Sequence, residues 1–182
     1  MEKFVERYFQ ENYGKTVLWD ETTGFRTPFQ YFAGTFDGVK KERKKVSEYL
    51  RGLGLKAKAF TLENKVTGVM EEDGGRKRSY SSPVLLEGGL EQEMVFFLGK
   101  KIPELFKTSR VLFKLSEARE HESSKWLVSI RAVSSKDASY ADPLQIPLEE
   151  LERWGDEIIA KTNTRVVAYD VTPKPPATIE YE

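Results

Sequence analysis

Residues 165–182 read RVVAYDVTPKPPATIEYE, and the reading of this stretch decides what the rest of the chain is built to carry. Arg165 to Val171 is a β-branched run of the kind that favours a strand. It leads into Thr172-Pro173-Lys174-Pro175-Pro176, and the sequence then continues Ala-Thr-Ile-Glu-Tyr-Glu. Pro173, Pro175 and Pro176 fix φ at the corner and remove amide donors there. Each also biases its predecessor toward extended geometry, which predicts that Lys174 is held on a stiff, polyproline-like bend. A rigid corner presenting one lysine, with Glu180 and Glu182 beyond it, suits recognition of a small anion. The plainer reading of the same residues is an edge strand with a proline-rich end.

Working outward, Trp126, Val128, Ile130 and Ala132 alternate along a second strand. Between the two, Pro147 reads as the first residue of a helix, with Glu149 and Glu150 in its first turn where the helix dipole favours acids. Leu148, Leu151, Ile158 and Ile159 line the buried face of that helix to about Lys161. Further upstream, residues 29–36 (FQYFAGTF) are aromatic-rich and read as a strand. Val39, Val46, Tyr49, Leu50 and Leu53 carry helical spacing over 39–53, and Gly52 and Gly54 suit its stop. Leu62 to Met70 reads as a strand, and Glu71 to Gly75 turns it into another over about 78–86, an antiparallel hairpin in outline. Phe4, Val5, Tyr8 and Phe9 place a short amphipathic helix over 2–12, followed by loop around Gly14 and Thr22-Thr23-Gly24. Met94 to Leu98 fits either strand or helix, Pro103 reads as opening a single helical turn, and Val111, Phe113 and Leu115 alternate as a strand does.

The nine residues KPPATIEYE (174–182) resemble the C-terminus of GMP synthase, whose chains end in an RVVYD-type strand and a Lys-Pro-Pro-(Ala/Gly)-Thr-Ile-Glu-aromatic-Glu tail. The resemblance extends upstream. Leu127 to Val133 (LVSIRAV) is similar to the family's VSLRAV strand, Asp137 and Ala141 keep the spacing of its D-x-M-T-A turn, and Ile146-Pro147, Leu151 and Ile158-Ile159 track its last helix. Val69-Met70, Gly75-Arg76 and Tyr80 fit a GVM-G-D-x-R-x-Y segment, and Phe29-Gln30-Tyr31-Phe32-Ala33 fits the first strand. Three departures stand out. Asp156-Glu157 replaces the family's Asn-Arg, Ala138, Ser139 and Tyr140 replace the middle of its turn, and Ala168 adds a residue within V-V-Y-D. That extra residue predicts a bulge or a register shift.

What the resemblance implies is the C-terminal, dimer-forming domain of that enzyme. The fold class expected is α+β, a small, mostly antiparallel sheet with helices packed on one face. It forms a single domain over residues 1–182, with insertions at about 37–60 and 88–124. In the family this domain also helps to close the XMP site. Lys174 matches the lysine near the nucleotide phosphate, Ile179 and Glu180 match the pair that contacts the xanthine base, and Gln30 matches a glutamine of the first strand. The chemistry suits the roles, since a lysine is a compact charge for phosphate and a carboxylate accepts N–H hydrogens from an oxidised purine.

The remaining machinery of GMP synthase has no counterpart in this sequence. It contains neither the S-G-G-x-D-S-S loop of an ATP-pyrophosphatase nor G-x-x-x-x-G-K-[ST], and with no cysteine it cannot supply the glutaminase nucleophile. His121, the one histidine, lies in a polar stretch and reads as a solvated surface residue. No catalytic residue, cofactor or metal is expected. The expected partners are a second copy of the chain, an ATP-pyrophosphatase subunit and XMP or a related purine nucleotide, with the protein acting either as a helper in trans or as a regulator. A starting Met together with a family-like terminus predicts a complete chain.

Composition agrees with a packed core: 39% of residues are hydrophobic and 12% aromatic, too many for a disordered chain. The 29 basic and 29 acidic residues cancel, so total charge points to neither nucleic acid nor membrane. No signal peptide or membrane span is read, and the lack of cysteine fits a cytoplasmic location. Locally the balance breaks. From Val39 to Phe60, Lys40, Lys41, Arg43, Lys44, Lys45, Arg51, Lys56 and Lys58 face only Glu42 and Glu48, and Arg76, Lys77 and Arg78 follow. A nucleic-acid-binding module using the basic 40–58 segment is therefore the alternative function, and a purely structural dimer is a third. The acidic groups Glu71-Glu72-Asp73 and Glu117, Glu120 and Glu122 read as surface charge.

Overall fold

The computed structural model describes Arg7 and residues 29–38, 40–119, 125–179 and 181, with the side chains of 29–31 outside the description. Arg7 is helical; the rest of the helix and the loop expected before residue 29 fall outside it, as do Val39, Glu120, His121, Glu122 and Glu180. The elements are β1 (Phe29–Asp37), β2 (Lys40–Glu42), α1 (Lys44–Gly52), β3 (Ala57–Leu62), β4 (Val66–Glu72), β5 (Gly75–Ser81) and β6 (Val84–Gly88). They continue with α2 (Gln92–Leu105), β7 (Val111–Glu117), β8 (Trp126–Ser134), β9 (Asp142–Pro143), α3 (Leu148–Lys161) and β10 (Val166–Asp170).

The α+β class holds, but the small, mostly antiparallel sheet does not. Eight strands form one sheet in the order β1-β8-β10-β7-β6-β3-β2, with β9 also on β8, and β4-β5 forms a separate two-stranded ribbon. The sheet is mixed, because β8 pairs with β10 and β6 with β7 in parallel. Both parallel pairs are crossovers made by a helix, α3 and α2 respectively, as parallel neighbours require. The segments expected as insertions supply β2, α1, β3, α2 and β7, all built into this one sheet or packed on it.

The three helices named above cover one face. Val46 and Leu50 of α1, Val95, Phe96, Leu98 and Ile102 of α2, and Leu151, Trp154 and Ile158 of α3 share a core with Ala59, Val84, Leu86, Val111, Phe113, Val128, Ile130, Val167 and Tyr169. Met94 to Leu98 thus resolves as helix, and Pro103 sits in the last turn of α2 rather than opening a new one. Pro147 is the residue before α3, not its first. The expected strand 62–70 divides at 63–65, where Asn64 Oδ1 accepts the Asp37 amide at 2.8 Å. The next divides at Pro83, which has no amide to donate and instead gives its carbonyl to Leu62 N–H at 3.1 Å.

The expected irregularity beside Ala168 is present, on the opposite strand. Val167 pairs with Ser116 and Ala168 with Lys114, so Leu115 of β7 is the extra residue. Towards β8 the register of β10 is unbroken, which keeps Val166, Ala168 and Asp170 on one face and Val167 and Tyr169 on the other.

Candidate functional site

The face opposite the helices carries the polar side chains of the central strands. By strand alternation Leu127, Ser129, Arg131 and Val133 of β8 project there with Asp170 of β10, and Arg110 enters just before β7. Arg110, Arg131 and Asp170 are fully buried. Residues 172–179 and Tyr181 lie against them, and Thr172, Thr178 and Ile179 supply acceptors to the two guanidiniums.

Asp170 is the hub. Its Oδ2 accepts from Arg110 Nη1 at 2.7 Å, and its Oδ1 lies 3.2 Å from Arg131 Nη1 and accepts the Thr172 amide at 3.0 Å. Both guanidiniums then reach past it to the tail. Arg131 Nε donates to the Ile179 carbonyl at 2.8 Å and its Nη1 to the Thr172 carbonyl at 2.7 Å, while Arg110 Nη2 donates to Thr178 Oγ1. The Tyr181 ring lies 4.4 Å from the Arg110 guanidinium carbon, a cation–π distance, and the Tyr181 hydroxyl is 2.6 Å from Ser129 Oγ. Burial alone would raise the Asp170 carboxyl, but Arg131 and Arg110 outweigh it and hold the group below its ordinary value. Burial lowers the Arg131 guanidinium against the opposing pull of Asp170. Burial and the Asp170 charge push the Tyr181 phenol well above its ordinary value, so its hydroxyl stays protonated.

The backbone makes room for the tail at two glycines, one in the sheet and one in the β4–β5 ribbon. A Cβ on Gly34 of β1 would stand 2.7 Å from Tyr181 Cγ, and one on Gly68 of β4 would stand 2.2 Å from Ser109 Cβ and 2.9 Å from the Pro176 carbonyl. Gly68 bridges Ala177, and Val69 N–H donates to the Pro176 carbonyl at 2.7 Å, so the ribbon holds the tail from its other side.

The proline corner is tighter than the polyproline-like bend expected. Pro175 and Pro176 form a turn, with the Lys174–Pro175 and Pro175–Pro176 bonds cis, and Ala177 N–H returns to the Pro173 carbonyl at 3.1 Å. Lys174 exchanges two backbone bonds with Ala141 (2.7 and 3.2 Å), and its side chain is half-buried at the corner. Ile179 is 6% exposed and packs with Phe32, Val133 and the same Ala141. Ala141 therefore joins the two tail positions singled out in the sequence. Gln30 stands in β1 at the register position opposite Val133, and only its backbone is described. A groove of about 450 Å³ opens beside the corner, lined by Val69, Met70, Lys100, Pro103, Pro175 and Pro176.

Sequence reasoning passed over Arg110, Arg131 and Asp170. The signal was present for two of them, because Arg131 interrupts Ile130-x-Ala132-Val133 and Asp170 interrupts Tyr169-x-Val171, and a charge inside an apolar strand needs a partner. Arg110 lies outside any strand pattern and gave none.

The basic segment is spread over three elements, with Lys40 and Lys41 in β2, Lys44, Lys45 and Arg51 in α1, and Lys58 in β3. Lys40 of β2 pairs with Glu87 and lies over the Phe60 ring. Lys41, Arg43, Lys44 and Lys45 line a cleft of about 690 Å³ together with the carboxylates Glu42 and Glu63, and burial lowers the Arg43 guanidinium from its ordinary value. Among the described residues no group of three or more His, Asp or Glu side chains could hold a metal ion, and no helix is long and apolar enough to cross a membrane.

Residues 107–181 match the family described as GMP synthase C terminal domain, a span that begins inside the second of the expected insertions. A subunit of glutamine-hydrolyzing GMP synthase from Saccharolobus solfataricus is 50% identical over 125 residues, which is 68% of this chain and 32% of the relative. The like-named subunit from Methanoregula boonei is 55% identical over 58 residues, 31% of this chain and 19% of the relative. The chain thus matches between about a fifth and a third of the length of these curated relatives.

Proposed function

We infer, from the match of residues 107–181 to the GMP synthase C terminal domain family, that this chain supplies the tail side of a purine-nucleotide site, with XMP as its ligand, and a dimer contact. It works alongside an ATP-pyrophosphatase unit and makes no bond by itself. The observation that carries the reading is the seating of the tail. Residues 172–179 are bonded to Arg110, Arg131, Asp170, Ala141 and the β4–β5 ribbon. A segment whose only task was to end the chain would not recruit three buried charges, since burying them costs several kcal/mol per ion before pairing. Held this way, the corner presents Lys174 as a fixed charge for a phosphate, and Glu180 follows directly on the anchored Ile179. The dimer contact fits β1, which has a partner on one side only among the described residues.

The test is GMP formation from XMP, Mg-ATP and ammonia by an ATP-pyrophosphatase unit lacking its own C-terminal domain, with and without this chain. Added chain is expected to restore turnover, and Lys174→Ala to raise the KM for XMP about tenfold or more through loss of a charge-assisted phosphate contact. No restoration by a folded, dimeric chain overturns the reading.

One observation favours a second function. Arg43, Lys44 and Lys45 stand at the positive end of α1, which has no acidic residue in its first turn and no side-chain cap. That arrangement is unfavourable unless an anion offsets it. A phosphodiester backbone in the cleft they line would do so. Single-stranded RNA binding should then weaken with salt, and joint neutralisation of Lys41, Lys44 and Lys45 should lower the log–log salt slope by roughly two. A slope that does not change eliminates this reading.

A further inference from the structure

The geometry points to Arg110, Arg131 and Asp170 as positioning residues for the nucleotide site, a three-charge clamp that sets where the tail lies. This rests on the reading of the tail as part of a purine-nucleotide site. It adds the residues that hold the site without touching the ligand.

Each member spans the sheet and the tail. Arg131 belongs to β8 and donates to two tail carbonyls, Thr172 before the corner and Ile179 beyond it. The proline turn and Lys174 lie between those two anchors. A single guanidinium therefore fixes both ends of the loop that carries Lys174, and its planar fork makes the spacing of the two carbonyls definite. Arg110 fixes the residue before Ile179 through the Thr178 hydroxyl and supports the Tyr181 ring. Asp170 closes the set by accepting from Arg110 at 2.7 Å, with Arg131 at 3.2 Å. A carboxylate in this place orients two forks at once, which an apolar pair filling the same volume could not do.

A plain structural ion pair would make a different prediction. It would stabilise the sheet as a whole, and losing it would loosen β7, β8, β10 and the tail alike. A positioning clamp loosens the tail selectively, because the strands keep their own ladders and the helix-side core.

The test uses the whole chain with Arg131→Lys and, as a milder second variant, Thr178→Val. Arg131→Lys keeps the charge but cannot reach two carbonyls as a fork does. Thr178→Val removes the acceptor for Arg110 and leaves all three charges in place. Amide hydrogen exchange is read for 172–179 against β7 and β8, and the KM and kcat for XMP are read in the assembly with the ATP-pyrophosphatase unit. Tail amides are expected to exchange about ten- to a hundredfold faster while the strand amides hold, the size set by losing one charge-assisted hydrogen bond. KM for XMP should rise with them, and kcat should change less. Unchanged tail exchange, or tail and strands loosening by one common factor, overturns the clamp. If wild-type chain supports no XMP turnover, the nucleotide reading fails by itself, and the exchange data still decide whether the clamp holds the tail. If Arg131→Lys does not fold, Thr178→Val gives the decision.

Discussion

Gly34 is the residue where sheet and tail meet most closely. Its missing side chain is filled by the Tyr181 ring, whose Cγ, Cδ1 and Cδ2 lie 2.7 to 2.8 Å from where a Cβ would stand. That is closer than real Cβ contacts, and the ring is not free to swing away. Its far end is bonded to Ser129, its flat side lies against Arg110, and it meets Phe36 edge-on at 5.7 Å. Gly34→Ala is therefore expected to destabilise by about 1–3 kcal/mol, the usual cost of overpacking. The cause can be isolated by pairing it with Tyr181→Ala, which removes the obstacle. The double variant should be more stable than the sum of the two single changes by about 0.5–3 kcal/mol, measured by urea unfolding. Additive effects would mean that Gly34 is glycine for another reason.

Among the elements, the tail earns its place through strands that alternate strictly on either side of the sheet. That alternation explains what could be read from sequence. Strands β8 and β10 and helix α3 were legible because Val128, Ile130, Val167, Leu151 and Ile158 repeat with the period of their element and point into one core. Helix α2 was ambiguous because Met94 to Leu98 is apolar on consecutive positions. The structure resolves it as helix, with Val95, Leu98 and Ile102 inward and Phe97 outward. The sheet came out larger than expected because Val111, Phe113 and Val84, assigned to separate local pieces, pair across long range as β6 and β7. Local pattern carries no signal for such pairing. The bulge illustrates the same limit. An extra residue in β10 was legible, but that β7 accommodates it at Leu115 depends on both of β10's neighbours. At the site, Lys174 and Ile179 could be picked out from the tail sequence. Their common contact Ala141 and their anchor Arg131 could not, because those residues come together only when three distant segments fold over one face.

Seen whole, the molecule has two unlike faces on one sheet. Helices seal one side with apolar side chains, and the chain's own C-terminal stretch seals part of the other over buried charge. The second face gives the protein a particular sensitivity to acid. Asp170 titrates below its ordinary value in the folded state, because the Arg131 and Arg110 charges outweigh the effect of burial, whereas in the unfolded chain it titrates near about 3.9. The folded state thus binds this proton more weakly than the unfolded one. Its stabilisation is fully present above that unfolded value and is lost as pH falls through it toward the folded one. Glu117 and Glu104 are also held low, by Lys114 and Lys101, but both lie at the surface, where such pairs contribute little. Asp170→Asn leaves them in place, so the difference between the two proteins isolates the buried group. At neutral pH the variant should be less stable by about 3–5 kcal/mol, since two guanidiniums lose their counter-charge. Its stability should then fall less steeply than the wild type's as pH drops from about 5 toward 3, so that the two curves converge. Unfolding curves collected across that range that stayed parallel would show that Asp170 is not the group whose charge holds this face together.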